Sequence, residues 1–77
     1  MRQWILIKHR KEMNLSQEQF AEKVNISISS YRNKETGNVE FKPSEMFRIA
    51  RFFGKKVDDI FLDPNSTENA EMFRNSI

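Results

Sequence analysis

The chain has 77 residues, no cysteine and a single histidine. That bounds it to one small domain and excludes disulfides, thiolate metal sites, cysteine nucleophiles and His-rich metal centres together. Its formal charge of +2 hides a split: residues 1–56 hold twelve of the thirteen Lys and Arg and six of the eleven acids, a net +6, while residues 57–77 are net −4.

A basic body with an acidic end suits a polyanionic partner for the body, although any small domain can show such a split by chance. Two Gly, two Pro, 38% apolar and 31% charged residues fit a mostly helical domain.

The first helix is expected from about Arg2 to Met13, ended by Asn14, which tolerates a left-handed backbone. Its apolar run, Trp4-Ile5-Leu6-Ile7, is too short for a secretory signal or a membrane span. A cytoplasmic protein is therefore expected. Ser16-Gln17-Glu18-Gln19 is a capping-box pattern that opens a second helix, with Phe20, Ala21 and Val24 at helical spacing. Asn25 supplies a turn. Ser27 caps a third helix running to Lys34 or Glu35, stopped by Gly37.

Residues 38–42 form a loop. Pro43 suits the first turn of a fourth helix, in which Met46, Ile49, Ala50 and Phe53 make one apolar stripe. Gly54 ends it. A short fifth helix covers about Val57 to Leu62, with Val57, Ile60 and Phe61 as its apolar face. Asp63-Pro64-Asn65 stops it. Residues 1–62 thus read as the domain, and 63–77 as a polar tail, frayed or holding one short helix.

The second and third helices are joined by a turn too short for an antiparallel hairpin. Such a pair crosses at a large angle and leaves one face of the later helix free. Phe20, Ala21, Val24, Ile26 and Tyr31 would face inward. This is the helix-turn-helix arrangement that sets a recognition helix into the major groove.

Leu15-Ser16-Gln17-Glu18-Gln19-Phe20-Ala21-Glu22-Lys23-Val24-Asn25-Ile26-Ser27, then Glu35-Thr36-Gly37, resembles the phage Cro/repressor-type helix-turn-helix family, also called the xenobiotic-response-element type. The resemblance continues through Ile49-Ala50, Gly54 and Val57-Asp58-Asp59-Ile60-Phe61. It implies an all-α, five-helix, lambda-repressor-like domain that binds double-stranded operator DNA.

By that resemblance, Ile28, Ser29, Arg32 and Asn33 read base edges. Arg32 suits guanine, Asn33 adenine, and Ile28 a thymine methyl. An exposed Ile is otherwise costly. Ser16, Gln17, Ser27, Thr36, Asn38 and Lys42 would grip the DNA backbone, Gln17 through its backbone and amide at a helix N-terminus. Arg10 and Glu35 would form a partly buried structural ion pair, with direct phosphate contact by Arg10 as a compatible reading. Val57, Ile60 and Phe61, together with tail residues Met72, Phe73 and Ile77, would make a homodimer contact.

Departures from the family pattern are His9, expected as a packed core-edge imidazole, Asn25 in place of the usual turn Gly, and Lys34, whose amine is expected to reach water. Lys55-Lys56 blurs the start of the fifth helix, and Phe41 either packs on the body or joins a partner surface. A prophage repressor or Cro-like regulator fits, and so does an antitoxin or a protein-interaction module on the same fold. An anti-repressor or a toxin is then a possible protein partner. With no readable sensor domain, no small-molecule effector is expected. No paired carboxylates, nucleophile–base pair or phosphate-cradling loop is readable, so neither catalysis nor a metal or cofactor is expected.

Overall fold

The computed structural model of the protein describes residues 2–61. The tail expected over 63–77, with Met72, Phe73 and Ile77, lies outside the described residues. Within them the chain is all-helical: α1 Trp4–Glu12, α2 Gln17–Lys23, α3 Ile28–Thr36, α4 Pro43–Phe53 and α5 Val57–Phe61.

Local chemistry sets each boundary. α1 starts two residues later than the sequence suggests, because the backbone N–H of Gln3 donates to the carbonyl of Glu35 at 2.9 Å. It ends at Glu12, and the chain turns away at Asn14, whose φ is +58°. At α2, Ser16 Oγ accepts from the backbone N–H of Gln19, and Gln19 Oε1 accepts from that of Ser16. Asn25, with φ +59°, makes the turn that glycine would otherwise supply. Ser27 Oγ then accepts from the backbone N–H of Ser30 and starts α3. α3 runs on to Thr36 and stops at Gly37, whose φ of +90° suits a residue without Cβ. Although Lys55-Lys56 offers no cap, α5 begins at Val57: the carboxylate of Asp59 accepts from the Lys56 N–H at 3.2 Å.

The core gathers Leu6, Phe20, Ala21, Val24, Ile26, Tyr31, Phe41, Ile49 and Ile60. Phe20 is its centre, with the rings of Tyr31, Phe52 and Phe53 at 5.3–5.4 Å. Phe41 packs on the body, edge-to-face with Phe61 and Tyr31. His9 sits at the core edge against Phe53, its Nδ1 2.8 Å from the carbonyl of Ile5.

One expected dimer residue is corrected here. Ile60 is 1% exposed. The apolar face of α5 turns into the protein's own core, so Ile60 cannot line a surface between copies. Phe61 is half-buried against Phe41, and Val57 is partly open.

The left-handed turn gives the first test. Replacing Asn25 with Ala should lower stability by about 1 kcal/mol, since an ordinary side chain is strained at that φ. Asn25→Gly should hold it. Thermal unfolding of the two variants checks the pair.

Candidate nucleic-acid interface

The pose of α3 depends on charges on its inner face. Glu35 is 3% exposed and accepts from three different helices. Its Oε2 takes Arg10 Nε of α1 at 2.9 Å and the Tyr31 hydroxyl of α3 at 2.6 Å. Its Oε1 takes Gln17 Nε2 of α2 at 2.7 Å and, more distantly, Arg10 Nη2 at 3.5 Å. Arg10 Nη1 goes on to the carbonyl of Leu15 at 2.8 Å. The ion pair expected from the resemblance is therefore present, as part of a larger network. Burial pushes the Tyr31 hydroxyl pKa far above its ordinary value, and the adjacent Glu35 carboxylate adds to the shift. Tyr31 stays a proton donor.

A second buried pair went unseen in the sequence. Lys34 Nζ donates to both oxygens of Glu45 at 2.7 Å. The Lys34 amine does not reach water as expected; the residue is buried, and the pair bolts α3 to α4. Burial alone would raise the Glu45 pKa. The hydrogen bonds from Lys34 and the Lys42 N–H, with the charges of both lysines, outweigh it and hold the carboxyl below its usual range. The available clue was an acid three residues after Lys42, where it caps the Lys42 N–H at 2.8 Å. Arg48 adds a further link, donating to the carbonyl of Val24 at 3.0 Å, and had no sequence signal. Among the described residues no buried side-chain nitrogen or oxygen lacks a partner.

With its inner face fixed, α3 shows Ser29, Arg32 and Asn33 to solvent. Ile28 differs from expectation: it is half-buried and packs on the core cluster, so only part of it faces outward. Arg32 is held across the motif by Glu18 at 3.3 Å and by Gln17 Oε1 at 3.4 Å. Gln17 is tied into the protein through both ends of its amide. One N–H of its amide nitrogen donates to Glu35 and its oxygen accepts from Arg32, which leaves the second N–H of that nitrogen. Ser16 and Ser27 stand at the two helix starts as exposed caps. The Thr36 hydroxyl bonds back to the carbonyls of Arg32 and Asn33. Asn38 and Lys42 are exposed beyond α3.

This is a helix-turn-helix with a polar outward helix, and residues 6–60 match the helix-turn-helix family model. The chain belongs to the Cro/repressor-type helix-turn-helix family. That is a family of DNA-binding transcriptional regulators. The family member is 37% identical over 54 residues to a helix-turn-helix-type transcriptional regulator of Methanocaldococcus jannaschii, a span that covers 70% of this chain and 82% of the relative. No solved structure gives a significant match.

Two surfaces of this family member lie apart from α3. Between α4 and α5 is an open groove of about 450 Å³, lined by Phe47, Arg51, Lys55, Lys56 and Val57. Phe47 is 63% exposed there. At the start of α1, Trp4 is exposed, with the Arg2 guanidinium 5.4 Å from its ring centre. Among the described residues no helix is long and apolar enough to cross a membrane, and no group of three His, Asp or Glu is placed to hold a metal.

Both buried pairs make measurable claims. Glu35→Ala should cost about 3–5 kcal/mol, because it leaves a buried guanidinium unpaired. Tyr31→Phe should cost only about 1 kcal/mol, one hydrogen bond in the network. Urea unfolding separates the two. For Glu45 the folded pKa is lowered. Its contribution is complete above the unfolded carboxylate value, about 4.3, and is lost as pH falls through the lower folded value. Between pH 7 and about pH 3, Glu45→Gln should therefore lose less stability than the wild type.

Proposed function

We propose that the chain is a sequence-specific regulator that binds double-stranded DNA with α3 in the major groove. The observation that carries this reading is the division of α3 into two faces. Tyr31, Lys34 and Glu35 are buried, whereas Ser29, Arg32 and Asn33 are exposed on the opposite side. Amide, guanidinium and hydroxyl are the groups that read base edges. Ile28 adds its outward portion against a thymine methyl. Ser16, Ser27, Asn38 and Lys42 flank that face, where helix N-termini and a cation favour phosphates.

One such helix reads only a few base pairs. A homodimer on a pseudo-palindromic site places a second reader about 34 Å away on the same side of the duplex. The exposed Phe47 and the partly open Val57 of the α4–α5 groove support that face as the contact. A prophage repressor or Cro-like switch is the setting this architecture suits.

Selection from random duplex DNA tests the reading. The wild type should enrich a two-fold-symmetric site, and Ser29→Ala/Asn33→Ala should blur it. Affinity should fall as salt rises, with a slope of about 0.9 in log units per phosphate neutralised. Lys42→Ala should reduce that slope by about one without changing the preferred sequence. If nothing is enriched at low salt, the DNA-reading function fails and a protein partner takes its place.

A further inference from the structure

Resting on the reading of α3 as the recognition helix, we propose that Glu18 and Gln17 are positioning residues for Arg32. They hold its guanidinium so that one defined edge faces a guanine.

Arg32 carries five N–H groups on a planar fork. Its Nε bonds to Gln17 Oε1 at 3.4 Å, and its Nη2 to Glu18 Oε1 at 3.3 Å. Both acceptors sit in the first turn of α2, and together they occupy the Nε–Nη2 edge. The Nη1–Nη2 edge keeps its two parallel N–H groups. Those two match the O6 and N7 acceptors that guanine shows in the major groove.

The Gln17 acceptor is fixed from within the protein. The Gln17 amide could present either its oxygen or its nitrogen, and the choice is made inside the protein. Gln17 Nε2 donates to Glu35 Oε1 at 2.7 Å, and the Glu35 carboxylate is itself pinned by Arg10 and Tyr31. A chain of hydrogen bonds thus runs from the core to the outward face and fixes an acceptor beside Arg32. The Glu18 pair lies at the surface, with side chains 52% and 73% exposed. Such a pair contributes little to stability. Its effect is to limit the rotamers of a long side chain before DNA arrives, which lowers the ordering cost of binding.

Glu18 has a competing role to separate from this one. Its charge also repels phosphates, and removing it would tighten binding to every sequence alike. Positioning acts on one base pair only.

The experiment measures binding to the selected site and to every single-base-pair variant of it, at fixed salt. Wild type, Arg32→Ala, Glu18→Ala, Glu18→Gln and Glu18→Ala/Arg32→Ala are compared, with thermal unfolding as the check on folding. The wild type should prefer G·C at one pair by roughly tenfold, the scale of a bidentate arginine contact. Arg32→Ala should erase that preference there and nowhere else. Glu18→Ala should cut it severalfold at the same pair, Glu18→Gln should retain most of it through its amide oxygen, and the double variant should match Arg32→Ala. An unchanged preference in Glu18→Ala overturns the positioning role, as does a change that is uniform over all base pairs. A uniform loss in Arg32→Ala, with a shallower salt slope, makes Arg32 a phosphate contact and overturns it equally. A wild type that selects no site overturns the DNA-reading function first, and this inference with it.

Discussion

The carboxylate of Glu35 is where three helices meet. It is buried, so it must be fully paired to be tolerated at all. α1 supplies Arg10, α2 supplies Gln17, and α3 supplies Tyr31 beside Glu35 itself. The carbonyl of the same residue receives the Gln3 N–H and sets where α1 begins. A misplaced helix would leave one of these groups unpaired in a low-dielectric interior. The network therefore specifies the crossing of α2 and α3 more than it stabilises the fold. Lys34 and Glu45 do the same for α3 against α4.

Much of this was legible in the sequence because it is local. Ser16, Gln19 and Ser27 announce helix starts within three residues of the groups they cap. Asn14, Asn25, Gly37 and Gly54 all take the positive φ that their residue types favour. The Arg10–Glu35 pair was legible for a different reason: it came with the family resemblance. The illegible part is long-range. Nothing near Lys34 in the chain names Glu45 as its partner, and a lysine on a helix reads by default as solvated. The burial of Ile60 and the half-burial of Ile28 are illegible for a related reason. On a short helix the core face is defined by what packs over it, and that partner is not in the same stretch of sequence. Gln17 shows the subtlest limit. Its position was anticipated, but the direction of its amide depends on a carboxylate eighteen residues away.

The charge split also takes a sharper meaning. Arg10, Lys34 and Arg32 are matched by Glu35, Glu45 and Glu18 inside the domain or across its surface. The positive excess of residues 1–56 is thus left to side chains at the periphery, among them Lys8, Lys11, Lys42, Arg51 and Lys55. Composition alone would have credited the buried cations with attraction for a polyanion that they cannot touch.

The two faces of α3 have a consequence for how such a protein changes over time. Tyr31, Lys34 and Glu35 alternate along one helix with Ser29, Arg32 and Asn33, yet the two sets share almost no partners. Exposed positions of the second kind absorb substitution with little effect on folding. The scaffold can stay constant while the outward letters are rewritten. Arg32 differs from the other two in its side-chain tie to Gln17 and Glu18 of α2. Ser29 and Asn33 carry no such tie, so on folding grounds alone divergence among copies of this domain would begin with them.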